Sequence, residues 1–404
     1  MSLDTDSPSF STPAAVSEPA PAAPAESPAR GASAATVKAA SGGVPAKVRL
    51  ESLDALRGFD MLWIAGAQSA VSAGAKCFGD GSGGVVARQM THAAFGEPGR
   101  FYDLIMPLFL FMAGAAMAFS GPWATPGVRP DTARWLKVLK RTAVLWVLGM
   151  AVQGNLFGYD FANFHWFSNT LQAIAVGGLI AELVAMLPDG KSRVAAFLAL
   201  PLAYWGLCEW LAPGAYAKDT AAAILVDDEI FGLNRGAREY AWALPSLTFG
   251  ATVLMGVYAG RFLRGARSAK FKAVALAVAG AACLGLAYAW APLHPINKHL
   301  WTGSFTLWSG GWCLLLLGAF HGVIDGLGWR SWAYPLRVIG ANALLAYLLT
   351  NLFNLKPFGD VFVRGLRQYV ENPNIFGMLR EFSALGVLWV ILWVCLRHKV
   401  FLKF

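Results

Sequence analysis

QMTHAAFGEPGRFYDLIMPLFLFMAG, residues 89–114, joins a polar stretch carrying His92 and Asp103 to an apolar run that begins at Leu104. A buried helix of a soluble protein can begin the same way, so this stretch decides the fold only together with the chain around it. Hydrophobic residues make up 56% of the chain and charged residues 14%, whereas soluble domains carry roughly 25% charged residues. That balance belongs to a membrane protein. The run after Asp103 is therefore read as a helix entering lipid, with His92 and Asp103 at its mouth.

Outward from this stretch the chain divides into apolar runs of about 20 residues, the length a helix needs to cross roughly 30 Å of hydrocarbon. Spans are expected over 56–75, 103–121, 136–154, 169–187, 193–211, 244–263, 272–290, 302–323, 333–352 and 380–398. The expected fold class is an all-α polytopic membrane protein, about ten transmembrane helices in one bundle, formed by residues 47–404. Residues 1–46 are rich in Ala, Pro and Ser and nearly lack large apolar side chains. They cannot bury enough surface to offset their ordering entropy and read as a disordered tail. The tail lacks the basic start and apolar core of a signal peptide, so it is expected to stay cytoplasmic.

Lys and Arg set the orientation. With the N-terminus inside, the inner segments gather Arg57, Arg134, Lys140, Arg141, Arg261, Arg264, Lys272 and others, twenty of the 33 Lys and Arg, against eleven outside. The positive-inside rule then places both termini in the cytoplasm. This asymmetry and contact with lipid head groups account for the net charge of +9, so no nucleic-acid partner is inferred. His92, Asp103, His165, His294, Lys298 and His299 fall on the outer face, where Trp166, Trp301 and Trp308 read as interfacial anchors. The spacing of Ala277, Ala281 and Gly285 predicts a face on which helix backbones approach closely. Five scattered cysteines show no CxxC or Cys/His spacing, so neither a metal site nor a disulfide framework is expected. The acids Asp60, Glu182 and Glu209 fall toward span ends, whereas a proton-coupled carrier needs one near the midplane.

Imidazole exchanges protons near neutral pH, so a histidine outside the membrane can serve as general base or transient nucleophile once a partner orients its ring. Asp103 can be that partner for His92; it suits a helix N-cap equally well.

The chain also resembles a known family. RLESLDALRGFDMLWIAG (49–66) is similar to the first-span motif of the heparan-alpha-glucosaminide N-acetyltransferase family and its bacterial relatives. LDALRG within it resembles the opening motif of the wider membrane acyltransferase group. HAAFGEPGRFYDLIMPLFLFMAG resembles the family's next block, and NTLQAIAVGGLIAEL (169–183) its leucine-glutamine span. PINKHLWTGSFTLWSGG (295–311) and GANALLAYLL (340–349) are similar to two later blocks, in the same order.

The resemblance implies transfer of an acetyl group from cytosolic acetyl-CoA, the acyl donor substrate, to an amino-sugar or other glycan acceptor on the far side of the membrane. His92 matches the family's active-site histidine and Asp103 the acid that follows it. Gln68 falls where the lysosomal enzyme has an asparagine near the site. Three departures bear on the acceptor rather than on the reaction: the His92-to-Asp103 interval is one residue longer, Phe95 replaces a Trp, and Ala173 replaces a basic residue. The lysosomal protein's large lumenal domain and extra first span do not appear in this sequence. The expected location is a bacterial inner membrane, and heparan sulfate is not the expected acceptor.

On this reading His92 deprotonates the acceptor or carries the acetyl group transiently, and Asp103 fixes the ring tautomer. Gln68, Asn297 or Lys298 hydrogen-bonds the developing oxyanion, although Lys298 also suits a snorkelling anchor and Asn297 a helix cap. Arg57, Lys140 and Arg141 are candidates for the CoA phosphates, although Arg57 also suits an ion pair with Asp54 or Asp60 on its own helix. No metal is implied, and a homo-oligomer is compatible with such a bundle. Two rival classes are an O-acyltransferase of cell-envelope polysaccharide, which would use the same histidine, and a small-metabolite transporter, which would move substrate without cleaving a thioester.

Overall fold

The computed structural model of the protein describes residues 50–97, 99–124, 131–234 and 239–402. The expected tail, with Lys47, Arg49, Arg129 and Lys403 among the inner charges, lies outside the described residues. All regular structure among the described residues is helical, with no strand. Five helices are long and apolar enough to cross a membrane alone, six if a bent pair counts as one span.

The first expected span is two helices, α1 (Glu51–Leu62) and α2 (Gln68–Ala75), separated by a wide turn in which Gly66 takes φ +133°. Only glycine adopts that dihedral without strain. The run from Leu104 forms α3 (Ile105–Met117), 13 residues long, after one tight turn at Phe101–Leu104. Helix α4 (Thr132–Gln153) starts at Asp131, whose carboxylate accepts from the Arg134 N–H. Its first half carries Arg134, Lys137, Lys140 and Arg141, which lowers its hydropathy. Asn169 caps α5 (Thr170–Ala185), and an Asp189–Ser192 capping box opens α6 (Gly190–Leu211). Such caps satisfy N–H groups that a helix start leaves open.

Helices α7 (Ser246–Arg264), α8 (Ala269–Trp290) and α9 (Gly303–His321) follow, the last two capped by Ser268 and Thr302. The span expected over 333–352 is broken into α10 (Tyr334–Ala341) and α11 (Ala343–Leu352), which meet at Asn342 with a bend of 66°. Helix α12 (Pro373–Arg397), capped by Asn372, packs along α2 and the helix Lys356–Val363. All ten expected spans thus contain helix, but α3 and α5 are short and two spans are interrupted.

Helices α7 and α9 form the centre, with 72% and 61% of their apolar stretches buried, while α6 and α8 bury 11% and 17%. Leu198, Leu202, Val274, Val278 and Leu286 are accordingly more than half exposed. Apolar helix faces turned outward on this scale fit lipid as the surrounding solvent.

Backbones touch where glycines allow it. A Cβ on Gly256 of α7 would stand 1.9 Å from the Phe111 carbonyl oxygen, and one on Gly114 of α3 would stand 1.8 Å from that of Val253. Gly58 and Gly340 make the same reciprocal contact between α1 and α10. The stripe expected at Ala277, Ala281 and Gly285 is not the packing face of α8: Ala281 and Gly285 are exposed, and Leu276, Gly280 and Ala287 are buried. In a helix this rich in Ala and Gly, small residues alone do not fix the phase. Trp301 and Trp308 are likewise buried in the core rather than anchored at an interface, and Trp166 is about half exposed. Asp60 departs most from expectation. It is fully buried just before the break in the first span, and neither of its carboxylate oxygens has a hydrogen-bond partner. Glu182 pairs with Arg134 at 2.6 Å, and Glu209 at the end of α6 accepts from the Tyr216 hydroxyl at 2.6 Å.

Candidate functional site

His92 lies in the loop between the helix Gly84–Gln89 and the turn that leads into α3. The loop is clamped from three sides. Gln68 Nε2 donates to the Met90 carbonyl at 2.5 Å, and Gln89 Oε1 accepts from the Phe101 N–H at 2.9 Å. The Arg100 guanidinium donates to Thr91 Oγ1 at 2.6 Å and to the His92 carbonyl at 2.9 Å. Together these hold the His92 ring over Tyr102, with centroids 4.8 Å apart.

Asp103 is fully buried beneath it. Its Oδ2 accepts from the backbone N–H groups of Ala93 (3.1 Å) and Arg100 (2.9 Å). Its Oδ1 faces His92 Nδ1 at 3.0 Å and Lys298 Nζ at 2.9 Å. Two backbone N–H groups and the Lys298 amine, with His92 Nδ1–H as a further donor in one tautomer, hold this buried group as a carboxylate.

Lys298 is not a snorkelling anchor. Its side chain is 5% exposed, and Nζ lies 2.7 Å from His92 Nδ1 as well as against Asp103. Burial pulls the Lys298 amine below its ordinary pKa, with the Asp103 charge opposing that shift. The triad therefore has two proton arrangements on one set of heavy atoms. An ammonium only donates, so protonated Lys298 makes His92 Nδ1 the acceptor and puts the ring proton on Nε2. Once Lys298 loses a proton, Nδ1–H can donate to Asp103, and Nε2 is left bare as a base.

The loop that carries Lys298 is tightly determined. Asn297, 1% exposed, turns its side-chain oxygen to the N–H groups of His299 (2.8 Å) and Leu300 (3.3 Å). The Leu300 carbonyl accepts from the Tyr204 hydroxyl at 2.6 Å, and that of Trp301 from Thr248 Oγ1 at 2.8 Å. Trp301 is held at φ +46°, a strained conformation for a bulky residue, of the kind that persists only where its surroundings over-determine it. Opposite, buried Asp227 accepts from the N–H groups of Trp242 and Ala243 and fixes the loop bearing Tyr240. The rings of Tyr240 and Phe95 both pack against His299 in tilted contacts, with centroids 4.5 and 5.1 Å away.

His92, Tyr102, Gln153, Tyr240, Lys298 and Tyr347 line one pocket of about 260 Å³. Burial pushes the Tyr240 phenol up to about 12, so it stays a hydrogen-bond donor at neutral pH. A second cavity of about 270 Å³ carries Arg57 and Arg141. The same four helices line both. Along α4, Arg141 belongs to the basic cavity and Gln153 to the histidine pocket, about 18 Å further on at 1.5 Å per residue. The changeover falls between Met106 and Phe109 on α3, between Thr170 and Leu171 on α5, and between Leu344 and Tyr347 on α11. On α4 the linings end at Leu145 and resume at Gln153, and on the other three helices a layer of no more than one turn divides the cavities. In it the rings of Phe109 and Tyr347 stack at 6.2 Å, and the Tyr347 hydroxyl is held by Asn169 at 3.1 Å.

Of the residues expected at the site, His92, Asp103 and Lys298 meet in one hydrogen-bonded group. Gln68 stands behind it, holding the loop, and Asn297 shapes the adjoining turn; neither lines the pocket. Arg57, 3.6 Å from Asp54, lines the basic cavity with Arg141, and Lys140 is exposed away from it. Tyr102, Gln153, Tyr240, Tyr347 and Asn351 were not singled out by sequence. Gln153 and Asn351 carry the one signal that could have found them, an amide at the end of an apolar run. The chain matches neither a protein-family model nor a curated protein.

Proposed function

We propose that the protein is a multi-pass membrane acetyltransferase of the heparan-alpha-glucosaminide N-acetyltransferase type, in which acetyl-CoA supplies an acetyl group to an amino-sugar or other glycan acceptor beyond the membrane. The observation that carries this reading is the pair of cavities: one where half-exposed His92 meets buried Asp103 and Lys298, the other with two arginines, the two lined by the same four helices.

The nucleotide of acetyl-CoA is too polar to cross lipid. Its phosphates suit the cavity of Arg57 and Arg141, while the pantetheine arm reaches past Phe109 and Tyr347 and presents the thioester beside His92. With Nδ1–H turned to Asp103, Nε2 of His92 takes the proton from the acceptor amine as its nitrogen attacks the thioester carbonyl. The C–N bond forms, the C–S bond breaks, and the imidazolium returns its proton to the departing thiolate. The Tyr240 hydroxyl and Lys298 are the donors nearest the developing oxyanion. A transient acetyl-histidine is the two-step variant of the same scheme.

The ten-span topology, with both termini cytoplasmic in a bacterial inner membrane, belongs to this proposal. Its support is the helix found at every expected span. The acceptor's group, amine or hydroxyl, decides between an N-acetyltransferase and an O-acyltransferase of envelope polysaccharide. The transporter reading keeps one observation in its favour, the buried, unpartnered Asp60, since interior acids serve proton coupling. One experiment separates these classes: free-thiol release from acetyl-CoA by the purified protein with glucosamine as acceptor, for the wild type and His92→Ala. Release that needs both acceptor and His92 is expected. Substrate flux in vesicles with no thiol release would replace this reading with the transporter.

A further inference from the structure

A third cavity lies away from the two that form the candidate site. It opens as a groove of about 500 Å³ between α6 and α8, the two helices with the most outward apolar surface. Helices α7 and α9 form its floor. Its walls are almost wholly carbon, from Leu198 and Pro201 on one side and Ala279 and Leu286 on the other. From Ala275 to Leu286 along α8 the groove runs about 16 Å, which suits an extended hydrocarbon chain.

Polar groups lie close to one end of the groove, behind a lining that is itself almost wholly apolar. Tyr258 lines it there, and its hydroxyl is buried with no hydrogen-bond partner. Arg193, in the first turn of α6, and Arg261, in the last turn of α7, both lie within electrostatic range of that hydroxyl. Their guanidinium carbons stand 5.6 and 5.7 Å from the Trp123 ring. Arg193 uses Nε on the Leu187 carbonyl, and neither arginine is ion-paired with a carboxylate among the described residues. Two cations and an unused hydroxyl at the head of an apolar slot are complementary to a phosphate carrying an acyl chain.

We infer that this groove binds one anionic glycerophospholipid of the inner leaflet, its acyl chain lying between α6 and α8 and its phosphate held by Arg193, Arg261 and Tyr258. The inference rests on the multi-pass membrane reading and not on acyl transfer. Positive charge concentrated on the inner side favours such a lipid there. A zwitterionic lipid would fill the slot equally well but bring no net negative charge to the two arginines, of which Arg193 also has Asp189 within electrostatic range.

The test is lipid binding by the full-length protein in detergent, read by native mass spectrometry and by the unfolding midpoint, with phosphatidylglycerol and phosphatidylcholine as the probes. The wild type is expected to retain one phosphatidylglycerol, at least tenfold more tightly than phosphatidylcholine, and to unfold at a higher temperature with it. The double variant Arg193→Gln/Arg261→Gln should lose that preference and bind the two lipids alike. Ala279→Phe, which fills the slot from an exposed position of α8, should lose the retained lipid altogether. Equal binding of the two lipids by the wild type, or unchanged preference in the double variant, would overturn the phosphate site. Retention of the lipid by folded Ala279→Phe would overturn the groove. The charge variant keeps the proposal open to refutation even if the filled variant does not fold.

Discussion

Lys298→Met tests the site most directly, because it removes one buried cation and leaves the packing volume nearly intact. At 2.9 Å from Asp103, the ammonium gains roughly 6 kcal/mol of gross Coulomb attraction at an effective dielectric of about 20. The desolvation of both charges cancels much of that gain. What Met removes is two hydrogen bonds from the ammonium, to Asp103 and to His92, each worth about 1.5–3 kcal/mol and partly offset by the desolvation cost that the ammonium takes with it. Asp103 meanwhile keeps His92 and two backbone N–H donors. Asp103→Asn is the harsher change. It leaves a buried lysine without its counter-charge and turns an amide group toward existing donors, at a cost of about 3–5 kcal/mol. The expected order of unfolding midpoints in detergent is wild type, then Lys298→Met, then Asp103→Asn. Acceptor-dependent thiol release should fall at least a hundredfold in Lys298→Met, on the scale of losing one acid–base or oxyanion contact. If Lys298→Met unfolds within about 0.5 kcal/mol of wild type, as surface substitutions do, and keeps its turnover, the three-residue group does not operate as described.

His294 and His299 are held at about 4 chiefly by burial, with nearby acids opposing. Both are neutral in the fold near pH 7 and take up protons more readily unfolded, so stability should fall as pH drops from about 6.5 to about 4. Each accounts for about 3 kcal/mol once that window has been crossed. Unfolding midpoints across this range should show the slope, and His294→Gln should flatten it. Phe109→Ala thins the layer between the cavities; thiol release without any acceptor should rise severalfold, as water gains access to the thioester. Gly256→Ala forces a Cβ into the Phe111 carbonyl and should separate α3 from α7, giving aggregated protein on size-exclusion chromatography.

The helices were legible in the sequence, because apolar length is a local property, but the spans expected from 136, 193 and 272 begin at Thr132, Gly190 and Ala269, three or four residues earlier. Asp131, Asn169, Asp189, Ser268 and Thr302 each stand where a helix begins. The inward phase of α8 was not legible, since an Ala-rich helix offers no contrast between faces. Nor were the breaks at Gly66 and Asn342, which continuous hydropathy conceals. His92 and Asp103 were found as a pair because 11 residues separate them. The third member lies 195 residues beyond Asp103, a distance over which no spacing rule acts, and Lys298 was placed near the site by family resemblance. Tyr240 and Tyr347 reach the pocket from elements that composition alone does not orient.

The bend at Asn342 has a mechanical consequence. The side chain at the bend is stitched on both sides to the segment after α12: Nδ2 donates to the Val400 carbonyl at 2.7 Å, and Oδ1 accepts from the Leu402 N–H at 3.2 Å. Leu402 itself lines the arginine cavity, whereas Tyr347 and Asn351, further along α11, line the histidine pocket. Helix α11, pinned at its start by residues 400–402, therefore runs from Ala343 and Leu344 in the wall of the arginine cavity to Tyr347 and Asn351 in the wall of the histidine pocket. The segment after α12 thus closes part of one chamber through Leu402 while fixing the start of the helix that walls the other.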